Sequence, residues 1–418
     1  MVRYCKEFID NYYYIYVFLA LWTYIGLPDF QSYIIVATLL SSVVLLNVCP
    51  ISCHKVDILV IVFILYQLAS YLFSNYRLEV YYYGIKAQVM PIVFYFIGRN
   101  RLFRDNKFYE KMKNPMMFAF IVGLILYFWA PDWYISRRTQ DLLGSDSSTA
   151  YYEATRLSSF WPWSYAMGYG ALYFIIYFSK TLFDNVATSF FSRLKNYSCI
   201  LIAILVLFFA QQRVSIAFFL VYLIIVSIYG NTNKKTLVKL WIIIGFICMV
   251  LVVWILRYAD ADFVEYVLTR SIESDENIVS KRFELFENLF NTSLFGEGLG
   301  KYGHAALRYN EPSITDCEYI RFITELGYVG CFIFCYIYIK SLFRAFSYRK
   351  SLMFEFCILS FYLAAMIGAT PFENYSMQPF LCWFCLGRIQ SSPQFNISRS
   401  KSRNKWKYEN RHHNPQLQ

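Results

Sequence analysis

Charged residues are scarce in this sequence, and their scarcity limits the classes of protein it can belong to. Asp, Glu, Lys and Arg make up 16% of its 418 residues, whereas soluble domains carry about 25%. Apolar residues reach 58%, and the mean hydropathy is +0.38. This composition excludes soluble enzymes, secreted disulfide scaffolds and disordered chains. Glycine, with 17 residues, is too rare for a collagen-like repeat.

Histidine is scarce as well, and no complete metal-ligand pattern occurs. The sequence has four histidines, His54, His304, His412 and His413. They are too scattered for a histidine-based zinc site. Most of the 11 cysteines lie inside apolar runs, where a free cysteine behaves as a small hydrophobe. Cys382 and Cys385 have metal-ligand spacing, but no second pair accompanies them. We therefore predict no metal and no cofactor.

Long apolar runs recur from Tyr12 to Ile389. A run of roughly 17–20 residues is long enough to cross about 30 Å of hydrocarbon as a helix. Twelve helices are predicted, with cores at 12–27, 33–48, 57–73, 82–97, 115–129, 161–178, 197–210, 214–229, 237–256, 322–343, 351–369 and 376–389. The expected fold class is an all-α polytopic membrane protein with about twelve transmembrane helices and a large, partly helical outer loop.

The predicted helices divide the chain into four regions. These are helices one to nine in 1–256, with an outer loop at 130–160; a large outer loop at 257–321; helices ten to twelve in 322–389; and a basic tail at 390–418. Lysine and arginine are concentrated in alternate loops, which predicts that both termini lie in the cytoplasm. The net charge of +11 is explained by these cytoplasmic anchors near anionic lipid. No nucleic-acid partner is therefore expected.

The two outer loops are longer than a connection between helices requires, and long loops are commonly functional. In the larger loop, the apolar spacing from Val279 to Phe290 predicts an amphipathic helix. The glycines Gly296, Gly298 and Gly300 follow it. They do not fit a dinucleotide fingerprint because no strand precedes them. We expect them instead to let the backbone approach a ligand closely.

Three arginines on the predicted outer face are candidates for binding an anion. They are Arg156, Arg213 and Arg282. The planar guanidinium fork donates two parallel hydrogen bonds and stays protonated, so it can hold a phosphate without metal. A single arginine could simply extend from a helix end towards water. Three arginines on one face favour a shared anionic ligand.

Carboxylates cluster where the large loop returns to the membrane, at Asp316, Glu318 and Glu325. A carboxylate there could deprotonate a sugar hydroxyl as a general base. His304 could do the same, or it could be an ordinary surface histidine. The pair Asp260 and Asp262 matches an Asp-x-Asp metal motif only weakly. Within the membrane, Lys86 and Glu355 suggest a buried pair or a polar pathway.

Several outer-loop motifs occur in a consistent order. They are Arg156 to Gly168, Gln211-Gln-Arg-Val-Ser215, Arg282-Phe283, Phe295-Gly-Glu-Gly-Leu-Gly300, Thr315-Asp-Cys-Glu-Tyr319 and Glu325-Leu-Gly-Tyr-Val-Gly330. In order and topology they resemble the O-antigen polymerase and ligase superfamily of membrane glycosyltransferases. Ligases of that superfamily typically carry a histidine where the loop re-enters the membrane. Asp316 stands at the matching position, which favours a polymerase.

The resemblance implies an activity and an assignment of roles. A polymerase of this kind joins undecaprenyl-pyrophosphate-linked repeat units on the periplasmic face of the bacterial inner membrane, without metal. Arg282 and Arg213, assisted by Arg156, would bind the pyrophosphate, and Asp316 would be the base. The residues expected to contact substrate are Gly296, Gly298, Gly300, His304 and Glu318.

Partners and alternatives follow from the same resemblance. The expected partners are the lipid-linked donor and acceptor glycans, membrane lipids and a chain-length regulator protein. One alternative is a ligase that transfers finished glycan to lipid A–core. The other, from a different class, is a flippase or transporter of lipid-linked oligosaccharide, although such proteins tend to show internal repeats and midplane charges.

Overall fold

The computed structural model describes most of the helical segments and a small part of the large loop. The described residues are 1–25, 31–49, 51, 53–73, 76–141, 156–161, 164–183, 190–229, 245, 293–303, 306–309, 314, 317–372 and 378–391. Over these residues the protein is all-helical and contains no strand.

The described residues from 1 to 141 form nine α-helices and several short irregular turns. The helices are α1 (Val2–Asp10), α2 (Tyr12–Tyr24), α3 (Gln31–Val48), α4 (Lys55–Ala69), α5 (Leu78–Gly84), α6 (Val93–Arg99), α7 (Lys107–Glu110), α8 (Lys113–Trp129) and α9 (Asp132–Asp141). A 3₁₀ turn, Ser70–Phe73, extends α4. Between α5 and α6 the chain passes through a π-helical turn, Ile85–Val89, and a 3₁₀ turn, Met90–Ile92.

The second half contributes the remaining described helices. They are α10 (Ser164–Phe183), α11 (Phe190–Phe209), α12 (Arg213–Tyr229), α13 (Glu318–Ser347), α14 (Arg349–Gly368) and α15 (378–391). A short 3₁₀ turn at Ala306–Tyr309 belongs to the large loop.

Four described stretches are long and apolar enough to cross a membrane: Lys55–Leu72, Lys107–Trp129, Glu318–Ser347 and Ser351–Gly368. Shorter apolar helices accompany them, among them Tyr33–Val48 and Leu194–Phe209. Many large apolar side chains on these helices are exposed, such as Leu72 at 81% and Phe332 at 73%. Long apolar helices that expose apolar side chains are typical of a membrane protein.

The predicted apolar segments are helical wherever the structure describes them, but several details differ. The tenth helix has its predicted core at 322–343, and the observed helix is longer, extending from Glu318 to Ser347. The segment predicted as one helix at 82–97 is broken by the π-helical and 3₁₀ turns. The outer loop at 130–160 begins with a helix, α9. The ninth helix, the amphipathic helix at 279–290 and the tail lie outside the described residues.

An aromatic layer crosses the interior of the bundle. The ring of Phe334 lies 4.9 Å from Phe322, 5.5 Å from Phe372 and 6.2 Å from Trp383, measured between centroids. Phe63 of α4 completes the layer, 6.3 Å from Trp383. Edge-to-face and tilted contacts of this kind add stability beyond the apolar area buried. Phe63 and Phe334 are near the middle of α4 and α13, so this part of the layer lies between the two ends of the bundle.

Buried ion pairs hold one of those ends together. Arg99 donates to Asp57 from Nε at 3.1 Å and from Nη2 at 3.3 Å. Tyr95 donates to the same carboxylate at 2.5 Å. Glu355 pairs with Arg388 at 3.1 Å. Glu355 therefore has an arginine partner, and Lys86 lies in the π-helical turn Ile85–Val89.

Candidate functional site

Helix α13 is interrupted close to its beginning. Gly327 has φ +64° and ψ −178°, which are not helical angles. A break of this kind leaves carbonyl groups before it and N–H groups after it without their helical partners. Inside a membrane such groups must find partners within the protein. The break therefore requires a second segment to pair with it.

That second segment is residues 294–300, called the glycine segment below. Three backbone hydrogen bonds join it to α13: Glu297 N–H to the Thr324 carbonyl (2.9 Å), Gly298 N–H to the Glu325 carbonyl (3.0 Å) and Val329 N–H to the Leu294 carbonyl (3.3 Å). The bonds lie on both sides of Gly327. The glycine segment thus restores hydrogen bonds that the helix loses at its break.

Glycine is required where the two backbones meet. A Cβ atom on Gly296 would lie 2.4 Å from the amide nitrogen of Gly327, and one on Gly327 would lie 2.3 Å from the nitrogen of Gly296. Gly300 makes a similar contact with Gly84 of α5, where an added Cβ would lie 2.7 Å from the Gly84 Cα atom. The sequence predicts that these glycines let the backbone approach a ligand closely. In the structure, Gly296 and Gly300 closely approach other parts of the backbone of the same chain.

Two tyrosines and a serine fix the glycine segment from the side of α4. The Tyr66 hydroxyl lies 3.0 Å from the carbonyl oxygen of Phe295 in the glycine segment and 2.6 Å from that of Leu326, one residue before the break in α13. The Tyr76 hydroxyl donates to the carbonyl of Leu299 at 2.8 Å. The Leu299 N–H donates to the Ser70 hydroxyl at 3.2 Å. Residues more than 200 positions apart in the chain therefore form one unit.

A second irregular helix faces the same region. The π-helical turn Ile85–Val89 begins directly after Gly84, the residue that contacts the glycine segment. Its Gln88 side chain reaches Glu325 of α13, with Nε2 2.7 Å from Oε2. π-Helical turns are rare and occur frequently at functional sites. Two interrupted helices and the glycine segment thus meet at one end of the bundle.

A buried ion cluster lies at the centre of this meeting point. Arg321 is fully buried, and it donates to Glu325 from Nη1 at 3.1 Å and to Glu318 from Nη2. Both carboxylates are also fully buried. Further donors complete the cluster: Gln88 Nε2 and Tyr302 N–H to Glu325, and Phe372 N–H to Glu318.

The charges of this cluster do not cancel. Two carboxylates and one guanidinium carry one net negative charge when all are ionised. Removing such groups from water costs several kcal/mol per ion, and only good geometry with additional hydrogen bonds offsets it. The amide of Gln88 and the backbone N–H groups supply those bonds. The cluster therefore specifies one arrangement of α5, α13 and the glycine segment.

Glu297 is an accessible carboxylate next to this cluster. Its side chain is 36% exposed and accepts a hydrogen bond from Lys301 at 2.8 Å. The Tyr302 hydroxyl donates to the same oxygen. Burial raises the pKa of Glu297, but the hydrogen bonds from Lys301 and Tyr302 outweigh it and lower the pKa overall. Glu297 is therefore ionised at neutral pH.

The segments that carry Arg156 and Arg213 contact each other. Leu157, next to Arg156, donates from its N–H to the Phe209 carbonyl at the end of α11, at 3.0 Å. Gln212, next to Arg213, donates to the hydroxyl of Ser164 at 2.8 Å. Arg213 is exposed and Arg156 is half-buried. The two arginine segments thus lie together at the beginning of α10 and α12.

Helix α10 links these arginine segments to the ion cluster. Ser164, its first residue, bonds to Gln212, and Tyr169 follows little more than one turn later. Tyr169 packs against Phe361 of α14, with the ring centroids 4.9 Å apart. The Glu318 N–H donates to the carbonyl directly after α14, at 3.1 Å. The arginine segments, the glycine segment and the ion cluster therefore belong to the same end of the bundle.

The predicted site residues are described only in part. Arg282, His304 and Asp316 lie outside the described residues. Glu318, expected to contact substrate, is the first residue of α13 and is engaged by Arg321 and Phe372. The other described candidates are Arg156, Arg213, Gly296, Gly298 and Gly300.

Arg321 and Gln88 are not among the residues predicted from the sequence. A signal for Arg321 exists, because Glu318, Arg321 and Glu325 are spaced three and four residues apart, which places them on one helix face. Gln88 carries no such signal, since its partner Glu325 is 237 residues away.

Among the described residues, no group of three or more His, Cys, Asp or Glu side chains could hold a metal ion.

Comparison with known proteins assigns no family to this chain. No family model matches the sequence, and no curated protein sequence matches it significantly.

Proposed function

We propose that this chain is a membrane glycosyltransferase that polymerises lipid-pyrophosphate-linked oligosaccharide units at the outer face of the bacterial inner membrane. One observation carries the proposal. Motifs from three distant parts of the chain, around Arg156, Arg213 and Gly298, share one end of an apolar helical bundle. These are the motifs whose order resembles the O-antigen polymerase and ligase superfamily.

The chemistry of that reaction accounts for the arginines. A hydroxyl oxygen of the acceptor forms a bond to the anomeric carbon of the donor, and the bond from that carbon to the pyrophosphate breaks. The sugar gains oxocarbenium character and the leaving pyrophosphate gains negative charge. Arg213 and Arg156 would stabilise that charge with Arg282, in surroundings of low dielectric constant where such contacts are strong. The lipid pyrophosphate leaves with its charge paired to guanidinium groups.

The proton of the acceptor hydroxyl needs a base. Glu318 and Glu325 are both engaged by Arg321, so they are suited to holding the site in shape. Asp316 is two residues before Glu318 and is the base in this proposal. The ion cluster would act as a positioning group that fixes where α13 begins.

A transporter is a second candidate because of one specific observation. Discontinuous helices such as α13 at Gly327 also form the binding sites of secondary transporters. A flippase for lipid-linked oligosaccharide would use such a site to move its cargo. A ligase differs from a polymerase only in its acceptor. The three activities leave different products in the cell.

Deletion of the gene in its own host distinguishes them, with surface polysaccharide separated on a silver-stained gel. Lipid A–core carrying a single repeat unit supports polymerase. Bare core with long glycan retained on undecaprenyl pyrophosphate indicates a ligase. Bare core with single units retained in the cytoplasmic leaflet indicates a flippase. Unchanged polysaccharide contradicts all three.

Complementation with variants tests the role of the arginines. Arg213→Lys keeps the charge but loses the bidentate geometry, so we expect polymer to fall at least about tenfold, the range of one strong charge-assisted contact. Arg77→Lys is the matched control, because Arg77 is exposed on the same predicted face and lies over the ring of Tyr309. Equal polymer from both variants at equal expression would argue against the pyrophosphate role.

A further inference from the structure

A second charged region lies at the opposite end of the bundle, beyond the aromatic layer. It is formed by the end of α6, the turn that follows it, the beginning of α4 and the end of α13. Four acidic side chains at this end have basic partners: Asp57 with Arg99, Glu355 with Arg388, and Asp10 and Asp105 with Lys6. These pairs hold the helix ends together.

Three arginines remain after those pairs are formed. Arg101, Arg104 and Arg344 make no ion pair with a carboxylate in the part of the chain that the structure describes. Arg344 donates from Nη1 to the side-chain oxygen of Gln390 at 2.6 Å, which does not neutralise its charge. Arg104 is half-buried, and its Nε atom is buried with no hydrogen-bond partner among the described residues.

Arg104 and Arg344 both lie at the end of α15. Arg388 of that helix donates from Nη2 to the Arg104 carbonyl at 3.5 Å, and Arg344 donates to Gln390 two residues further along it. Arg99 lies close enough to both Arg104 and Arg344 for their charges to interact. Burial, followed by the charges of Arg101 and Arg99, lowers the pKa of Arg104. Asp57 supplies one negative charge to this group. A group of like charges that is partly removed from water is stabilised by binding an anion.

Apolar surface borders the three arginines. The Asn100 side chain donates to the carbonyls of Leu45 and Cys49, so the turn carrying Arg101 is fixed to the end of α3. Val48, on that end, is 52% exposed. Phe343, next to Arg344, is 68% exposed. Unpaired guanidinium groups therefore lie beside side chains suited to contact with acyl chains.

We propose that Arg101, Arg104 and Arg344 form a binding site for the headgroup of an anionic phospholipid. The phosphate oxygens accept hydrogen bonds from the guanidinium groups, and the acyl chains lie along Val48 and Phe343. Basic pockets between transmembrane helices bind anionic lipid headgroups in this way. The proposal does not depend on the polymerase activity, because the site is at the other end of the bundle.

Native mass spectrometry of the purified full-length protein tests this site, after delipidation and titration with cardiolipin, phosphatidylcholine or inorganic phosphate. We expect cardiolipin to bind at least about tenfold more tightly than phosphatidylcholine, and each arginine removed to weaken it roughly fivefold. The variants are Arg101→Gln and the double variant Arg101→Gln/Arg104→Gln. Arg3→Gln is the matched control, because the Arg3 side chain is 87% exposed and paired with Glu7.

Each outcome decides the proposal. Weaker cardiolipin binding in the Arg101→Gln variant than in the Arg3→Gln variant supports it, even if the double variant does not fold. Equal binding by Arg101→Gln and the control overturns it. Equal occupancy by phosphatidylcholine overturns the anionic specificity. Displacement of cardiolipin by inorganic phosphate at equal phosphorus concentration shows a phosphate site and overturns the lipid assignment.

Discussion

At the scale of the residue, Arg321 has the most demanding environment in the described part of the chain. It is fully buried between Glu318 and Glu325. A buried ion pair adds little net stability, but removing one member leaves an uncompensated charge. Glu297 differs from these fully buried residues because its side chain remains partly in contact with water. Two predictions follow at this scale.

Arg321→Met should destabilise the protein strongly, since Glu318 and Glu325 would be left as two adjacent buried carboxylates. Loss of one partner from a buried ion pair costs about 3–5 kcal/mol. Thermal unfolding in detergent measures the effect. Adding Glu318→Gln and Glu325→Gln to Arg321→Met should recover much of the loss. A single variant as stable as wild type would show that the cluster is not ionised as proposed.

The lowered pKa of Glu297 predicts that the stability of the protein decreases in acid. Its pKa is lower in the folded protein than in the unfolded chain, so its contribution to stability is fully present above the unfolded pKa. That contribution is lost as pH falls through the folded pKa, which lies below the ordinary value of 4.5. Hydrogen exchange of residues 296–302 should therefore increase in this range. Glu297→Gln should remove the pH dependence, and its persistence in that variant would assign it to another group.

At the scale of the element, the break in α13 and the glycine segment form a single structural unit. The helix cannot be continuous at Gly327, and the glycine segment provides the hydrogen bonds that the break removes. Tyr66 of α4 and Tyr76, which follows the extension of that helix, donate hydrogen bonds to the same unit. The stability of this end of the bundle therefore depends on a backbone contact between two glycines.

Gly327→Ala tests this unit. The new Cβ would lie 2.3 Å from a backbone nitrogen, at a residue whose φ is +64°. We expect a loss of at least about 1–3 kcal/mol from backbone strain alone, measured as a lower melting temperature. Gly170→Ala is the matched control, because its added Cβ meets only the flexible end of Met116. Similar melting temperatures for the two variants would contradict the paired-glycine contact.

At the scale of the whole molecule, the protein has two polar ends separated by an aromatic layer. One end contains the glycine segment, the ion cluster and two predicted pyrophosphate-binding arginines. The other contains the ion pairs of Asp57 and Glu355 and the three remaining arginines. Lysine and arginine counts predict that the second end faces the cytoplasm.

Reporter fusions test this orientation in cells. Alkaline phosphatase, which is active only outside the cytoplasm, should be active when fused after Lys301. A fluorescent protein that folds only in the cytoplasm should be fluorescent when fused after Gln390. The same pair of reporters exchanged between the two positions is the control, and both should then be silent. The reverse pattern would invert the predicted topology and move the proposed site to the cytoplasm.

The sequence by itself determined that this is a helical membrane protein. Apolar runs long enough to cross a bilayer leave helices as the local solution, because every backbone group must be paired inside the chain. The sequence also indicated residues of the site, since the arginines and glycines occur in recognisable local motifs. The twelve-helix topology and the polymerase function stay predictions.

Only the tertiary structure decided which residues become partners. Asp57 pairs with Arg99, Glu355 with Arg388, and Gln88 with Glu325 across long separations in the chain. The interruption of α13 and its pairing with the glycine segment were equally invisible, although Gly296 and Gly327 both lie within local sequence motifs. The physical reason is that helix formation depends on neighbouring residues, whereas buried charges and broken helices take their partners from whichever segment packing brings near them.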